Sequence, residues 1–420
     1  MNRLTTPFGS YELTRFPEDP RDRLRAWDAA DEYLLRHLAA GTGERGPVEL
    51  ADRQVTVVGD RWGALVTALA AHRPAQITDS HLAHEASAAN LARAGVAPSD
   101  VRLLTTQDAP PERIDVLLVR VPKSLALLED QLHRLAPHVR ADTVVVGTGM
   151  VKEIHTSTLN LFEKVLGPTR TSLAERKARL IFCTPRGSEG AAPGANPWPL
   201  TYTLGPDAGA GAAEGLTVVN HAGVFCADRL DIGTRFLLGH LPTGTGAARI
   251  ADLGCGNGVV GTAAARANPG AEVIFADESY QAVASAEATF RANAGALDAT
   301  ARFLVGDGLA ALTPGSVDLV LNNPPFHSHQ ATTDTTALRM FAQARRALRP
   351  GGELWVVGNR HLGYHVRLRW LFGNCQLVAG DPKFVILRAV KQGGGDGGGA
   401  APRRQTAPGE SARTSGYRPR

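Results

Sequence analysis

Ala248-Arg249-Ile250-Ala251-Asp252-Leu253-Gly254-Cys255-Gly256-Asn257-Gly258 runs from an apolar stretch through three spaced glycines into Val259-Val260-Gly261-Thr262-Ala263. Ala248 to Leu253 reads as a buried strand and Gly258 to Ala267 as a helix, which places the glycines in the turn between them. Glycine in such a turn lets the backbone pass close to a ligand, and the first turn of the helix offers it free N–H groups. Dinucleotide enzymes use a related turn, so this stretch alone points to a cofactor without naming it.

Outward from this unit the alternation continues. Strands are expected at Val273–Ala276, Arg302–Val305, Val317–Leu321, Glu353–Val357 and Phe384–Ala389, with a helix from Tyr280 to Asn293. Upstream, an amphipathic helix is expected over Asp22–Leu38. Strands follow at Val55–Val58, Gln76–Ser80, Ile114–Val119 and Thr143–Val146, and the half closes near Ile181-Phe182. Strands alternating with helices mark an α/β chain with mostly parallel sheets.

The two halves resemble each other: Asp277-Glu278-Ser279 with its alanine-rich helix answers Asp79-Ser80 with another. Their chemistry differs. Where the second half has Asp252-Leu253-Gly254-Cys255-Gly256, the first has Val57-Val58-Gly59-Asp60-Arg61. The expected organisation is a first domain over 1–186, a linker rich in Gly, Ala and Pro over 187–215, a second domain over 216–391 and a disordered basic tail over 392–420.

Asn322-Asn323-Pro324-Pro325-Phe326 follows the strand Val317–Leu321. The Asn323 side chain and the Pro324 carbonyl offer two acceptors for an exocyclic amine, Phe326 offers a face to stack on, and Pro325 stiffens the segment. Hydride transfer has no use for such a clamp; methylation of a planar amine does. Orientation carries that chemistry: the lone pair must face the methyl carbon while the N–H groups are held elsewhere, and the proton leaves after attack. Glycine turn and clamp together read as an S-adenosylmethionine-dependent N-methyltransferase acting on a nucleobase, with S-adenosylhomocysteine as product.

On this reading Gly254, Cys255, Gly256, Asn257 and Gly258 contact the cofactor, and Asp252 supports their loop. Asp277, at the end of the next strand, is placed to accept the ribose hydroxyls, a role that fits adenosylmethionine and a nicotinamide cofactor equally. Asp307 is a candidate for the adenine amine. His327 is expected to line the base pocket, and Arg360 and His361 either contact substrate or end a strand. His327 and His329 lack a third ligand at convincing spacing, so no metal is expected.

At 420 residues and 43% hydrophobic, the chain is long enough for two cores. Five arginines against Asp396 and Glu410 put a net +3 of the chain's +4 after Lys391, which leaves the body near neutral and confines any phosphate-binding surface to a local patch. Four scattered cysteines suit a reduced cytoplasmic protein, and no run reaches the roughly 18 apolar residues that span a bilayer. A monomer with no membrane partner is expected.

Several segments are similar to the ribosomal RNA large subunit methyltransferase G family. They include Leu24 to Leu35, Leu230 to Phe236, the glycine turn, Asp277-Glu278-Ser279, Asn322 to His327, Asn359-Arg360-His361-Leu362-Gly363-Tyr364, Phe372-Gly373-Asn374-Cys375 and Lys383-Phe384-Val385. The resemblance covers about residues 7 to 391. It implies two tandem class I, Rossmann-like methyltransferase domains, the first degenerate and given to RNA recognition, the second catalytic. It further implies N2-methylation of one guanine of 23S rRNA, at the position numbered 1835 in the usual bacterial scheme. Gly254, Gly256 and Asp277 would hold cofactor, and Asn323 to Phe326 the extruded base. Methylation of a 16S rRNA guanine, of adenine N6 or of a protein glutamine, and a non-catalytic RNA-binding role, remain the alternatives.

Overall fold

Every residue of the strands Val55–Val58 and Ala75–Thr78 is buried, as expected of parallel strands covered by helices on both faces. The computed structural model describes residues 2–19, 22–43, 45–186, 194–206, 211–225, 229–325 and 331–393. The first half opens with a hairpin, β1 (Arg3–Thr6) and β2 (Gly9–Glu12), and helix α1 (Ala29–Ala40). Then come β3 (Val55–Val58), α2 (Ala64–Ala68), β4 (Ala75–Thr78), α3 (His81–Arg93), β5 (Arg102–Thr105), β6 (Ile114–Arg120) and α4 (Leu125–Leu135). It closes with β7 (Val139–Met150), α5 (Thr156–Val165), β8 (Thr169–Thr171) and β9 (Ala178–Cys183).

A second hairpin, β10 (Leu200–Thr203) and β11 (Thr217–Asn220), leads through α6 (Ile232–Leu238) into the second half. There follow β12 (Arg249–Leu253), α7 (Val259–Ala267), β13 (Glu272–Asp277), α8 (Tyr280–Ala292), β14 (Thr300–Val305) and β15 (Val317–Asn322). The last elements are α9 (Ala331–Ala347), β16 (Leu348–Asn359), α10 (Tyr364–Phe372), β17 (Gln376–Gly380) and β18 (Phe384–Val390).

The two sheets share one topology. Their strand orders are β5-β4-β3-β6-β7-β9-β8 and β14-β13-β12-β15-β16-β18-β17. In each, six strands run parallel, and the one antiparallel strand, β9 or β18, lies between the last two of them. Alternate residues serve opposite faces: Val273 and Phe275 pack in one core of the second sheet, Ile274 and Ala276 in the other. In that second core Phe341 of α9 meets Tyr364 of α10 edge-on, with ring centroids 5.1 Å apart.

Helix α1 starts later than the apolar spacing suggests. Asp28 caps it, accepting from Ala30 N–H at 2.8 Å, while Asp31 accepts from Asp28 N–H at 2.9 Å. That reciprocal box sets the start at Ala29, and Leu24 is left 55% exposed outside the helix. The stretch 187–215 holds β10, which pairs antiparallel with β11. Leu204 and Ala213 join the core of the second half.

Candidate active site

The carboxyl ends of β12, β13, β15 and β16 lie along one edge of the second sheet, since Leu253 is registered with Ala276 and Asn322, and Asn322 with Val356. Three backbones there need positive φ: Gly254 (74°), Gly256 (52°) and Gly258 (75°). Their reasons differ. A Cβ on Gly258 would meet Ala286 Cα at 2.6 Å, so this glycine lets α7 approach α8. A Cβ on Gly256 would meet nothing within 4 Å, so its turn faces open space. Asp277 lies across that opening and accepts from Gly256 N–H at 3.0 Å and Ser279 N–H at 3.1 Å.

Asp252 is buried and accepts from Gly261 N–H at 2.8 Å, which ties β12 to α7; burial pushes its carboxyl up to about 8. The Cys255 thiol is buried in the core, and burial raises its pKa well above the ordinary value, so it is held as a neutral thiol. The Asn257 amide turns away from the opening: Nδ2 donates to Asn220 Oδ1 at 2.9 Å and Oδ1 accepts from Val259 N–H at 3.3 Å. Asp307 is ion-paired with Arg339 of α9 at 3.1 Å.

At the end of β15 two asparagines divide the work. Asn322 is fully buried, and its Nδ2 donates to Leu253 O at 2.7 Å, which ties the clamp strand to the residue before the glycine turn. Asn323 donates from Nδ2 to Thr234 Oγ1 at 2.9 Å, and its Oδ1 is buried with no hydrogen-bond partner. A buried acceptor left open is costly unless something supplies a proton to it. Pro324 is buried behind it and Pro325 is exposed. Phe326 and His327, read as stacking platform and pocket wall, lie outside the described residues, as does His329.

Thr234 did not emerge from the sequence as a site residue. It sits in α6, whose N-cap Asp231 accepts from Thr234 N–H at 3.0 Å, and the Asp-x-x-Thr spacing before an apolar run was the available signal. Arg360 and His361 follow β16 on the same edge and are exposed. The Arg360 guanidinium donates to Asp381 O at 2.6 Å, so it braces the β17–β18 turn. Among the described residues no group of three His, Cys, Asp or Glu side chains is placed to hold a metal ion, and no helix is long and apolar enough to cross a membrane.

The glycine-turn edge meets the first half through matching turns. Tyr280 N–H donates to Asp79 O at 2.9 Å and His81 N–H to Glu278 O at 2.8 Å. Ser279 Oγ donates to Asp79 Oδ2 at 2.6 Å, and Ser80 Oγ to Glu278 Oε2 at 2.5 Å. Equivalent residues exchange equivalent bonds, so the contact has an approximate twofold axis beside Asp277.

Comparison with known proteins places this geometry among methyltransferases. Residues 1–187 match the model of the RLMG N-terminal domain and residues 215–388 that of the methyltransferase small domain. The chain is 73% identical over 390 residues to ribosomal RNA large subunit methyltransferase G of Streptomyces avermitilis, covering 93% of this chain and 99% of that protein. It is 47% identical over 391 residues to the protein of the same name from Stutzerimonas stutzeri, covering 92% and 99%. In fold it is similar to the T. thermophilus 16S rRNA N2 G1207 methyltransferase solved with AdoMet and guanosine. There the TM-score is 0.68 at 21% identity, over 93% of this chain and 97% of the other.

Proposed function

The chain belongs to the ribosomal RNA large subunit methyltransferase G family, and from that membership we propose that it methylates N2 of one guanine in 23S rRNA. The methyl donor is S-adenosyl-L-methionine and the site is the carboxyl edge of the second sheet. The single observation that carries the reading is the Asn323 amide: its N–H is anchored on Thr234 and its buried oxygen is open to a donor, one strand away from the glycine turn. When bound, S-adenosylmethionine supplies an electrophilic methyl group. The residues fit it, because Gly256 leaves open space where any other residue would place a Cβ and Asp277 is fixed beside that space by two backbone N–H groups.

In this assignment Gly254, Gly256 and Gly258 shape the cofactor turn and Asp277 accepts the ribose hydroxyls. Asp252 and Asn257 hold the turn from behind, and the neutral Cys255 packs beneath it. Asp307, already engaged by Arg339, closes the adenine side. Asn323 Oδ1 and the Pro324 carbonyl each take one N–H of the guanine amine, so the nitrogen lone pair is left to face the methyl carbon. Phe326 and His327 complete the base pocket. No general base is required before attack, since the amine releases its proton once it has become cationic. The free thiols of Cys183, Cys255 and Cys375 suit a reduced, cytoplasmic setting.

The test is methyl transfer from labelled S-adenosylmethionine to protein-free 23S and 16S rRNA from cells lacking the modification, followed by nuclease mapping. One N2-methylguanine in 23S rRNA is the expected product. Label confined to 16S rRNA, or on adenine N6, overturns the substrate assignment.

A further inference from the structure

Helix α10 buries Tyr364, Leu368 and Phe372, packs Leu371 partly against the same core, and turns its other residues outward. His365, Val366, Arg367, Arg369 and Trp370 are exposed, Trp370 to 83% and Val366 to 57%. The helix has no acidic residue in its nine positions. No carboxylate among the described residues pairs with Arg367 or Arg369. Several arginines elsewhere on this half are committed to carboxylates: Arg249 to Glu272, Arg339 to Asp307, Arg349 to Asp318 and Arg388 to Glu353. An exposed indole beside two spare guanidinium groups, on a body close to neutral, is a local feature without a structural use.

Its position gives it one. β16 is registered with β15 through Asn322 and Val356 and runs three residues further to Asn359, so the chain enters α10 from the edge that carries Asn323. At about 1.5 Å per residue, Arg367 to Trp370 lie within about 10 Å of the start of the helix along its axis. The exposed residues of α10 thus follow closely in the chain on the edge that carries Asn323.

We propose that the exposed face of α10 is an RNA-docking surface. Arg367 and Arg369 neutralise phosphates flanking the target guanine, and Trp370 stacks on an unpaired neighbouring base. The occupant is a polyanion with flat faces, because the helix offers cations without counter-charges and one large π-surface; a protein partner would call for a broader apolar patch than Val366 and Trp370 provide. This inference rests on the rRNA methyltransferase reading above, and it assigns part of RNA recognition to the catalytic half as well as to the first.

The experiment measures binding of the full chain to protein-free, unmodified 23S rRNA over a range of salt, with cofactor affinity and steady-state methylation alongside. The Arg367→Ala/Arg369→Ala variant is expected to lower the salt slope by about 0.7 for each lost phosphate contact, and Arg367→Lys/Arg369→Lys to restore it. Trp370→Ala is expected to raise the KM for RNA between about fivefold and a hundredfold, the loss falling on KM rather than kcat, with cofactor Kd kept. Unchanged RNA affinity and slope while the unsubstituted protein still labels 23S rRNA overturns the surface alone. A parallel loss of cofactor affinity overturns it too, by exposing a structural role. Failure of the unsubstituted protein to bind or label 23S rRNA removes the functional reading and this surface with it.

Discussion

Arg120 in the first half and Asn323 in the second stand at the same register position, one residue past the partner of the strand that leads into each glycine turn. Asn323 leaves an acceptor open, whereas Arg120 is wholly buried and closed in by Asp28 at 2.6 Å, Glu153 at 3.1 Å and Asp31 at 3.2 Å. The turns diverge likewise. Gly59 and Gly63 match Gly254 and Gly258 in position and positive φ, and a Cβ on Gly63 would meet Ser87 Cα at 2.6 Å just as one on Gly258 would meet Ala286. Between them the second half has Gly256 over open space, and the first has Arg61, which pairs with Glu153 at 3.0 Å. Asp60 consumes the N–H groups of Gly63, Ala64, Leu65 and Val66 at the start of α2. One architecture was kept twice, and in one copy Arg120, Arg61 and Asp60 are bound up with the protein itself at the positions where the other copy stays open.

The largest expected effect breaks that occupation. Arg120→Met leaves three carboxylates around a vanished cation, and losing one partner of a buried ion pair costs about 3–5 kcal/mol. Urea unfolding followed in the first half should show a midpoint well below that of the unsubstituted chain. A stability change near zero would mean that the cluster is solvated and does not hold the first half closed. Next in size is Asn323→Ala, which removes the open acceptor while leaving the glycine turn intact. Methylation under substrate-limited conditions is expected to fall about a hundredfold, with S-adenosylmethionine affinity by calorimetry nearly kept. Equal activity would deprive the asparagine–arginine contrast of its meaning.

Much of this contrast was legible in the residues. The alternation of strands and helices, the glycine turn, Asp277 and the Asn-Pro-Pro run are local patterns, and local patterns survive reading one residue at a time. What depended on contacts distant in sequence did not. Asn257 sits inside the glycine turn, yet its amide is drawn to Asn220, 37 positions earlier in the hairpin strand β11. Thr234 orients Asn323 from 89 positions away. Leu24 fits a helical spacing with Trp27, but the Asp28–Asp31 capping box, a stronger local signal than apolar spacing, starts the helix later. The pairing of Ser80 with Glu278 carries no sequence signature beyond that of two helix N-caps.

A smaller effect sharpens the comparison at the turn. Gly256→Arg places the side chain of the first half's Arg61 in the second half's open space. Positive φ at a non-glycine residue costs about 1–3 kcal/mol, so the fold should persist. Cofactor affinity is expected to fall at least about tenfold, by occupation of the opening as well as by strain. A folded variant that still binds S-adenosylmethionine as tightly would show that Gly256 does not line the cofactor site.

The smallest effect concerns where the halves meet. Burial lifts Asp79 to about 6 and Glu278 to about 7, above their ordinary values of 3.8 and 4.5. Raised carboxyl pKa values mean that the folded chain resists ionisation. Stability is therefore fullest at acid pH, falls as pH rises from about 4 to about 7, and stays at the lower level above that. The rise at Asp79 is already held down by Ser279 Oγ, Thr106 Oγ1 and Gln281 N–H, which all donate to its carboxylate, and the loss of stability follows what remains. Its expected size is on the order of 1 kcal/mol, or about 2–4 °C in Tm for a half of this length. Asp79→Asn keeps a hydrogen-bonding group of the same shape and removes the charge, so Tm measured at pH 5 and pH 8 should differ less in the variant than in the unsubstituted chain. The two halves then differ in what they leave open but share one titrating contact, and an unaltered pH profile in Asp79→Asn would assign the whole of that titration to Glu278.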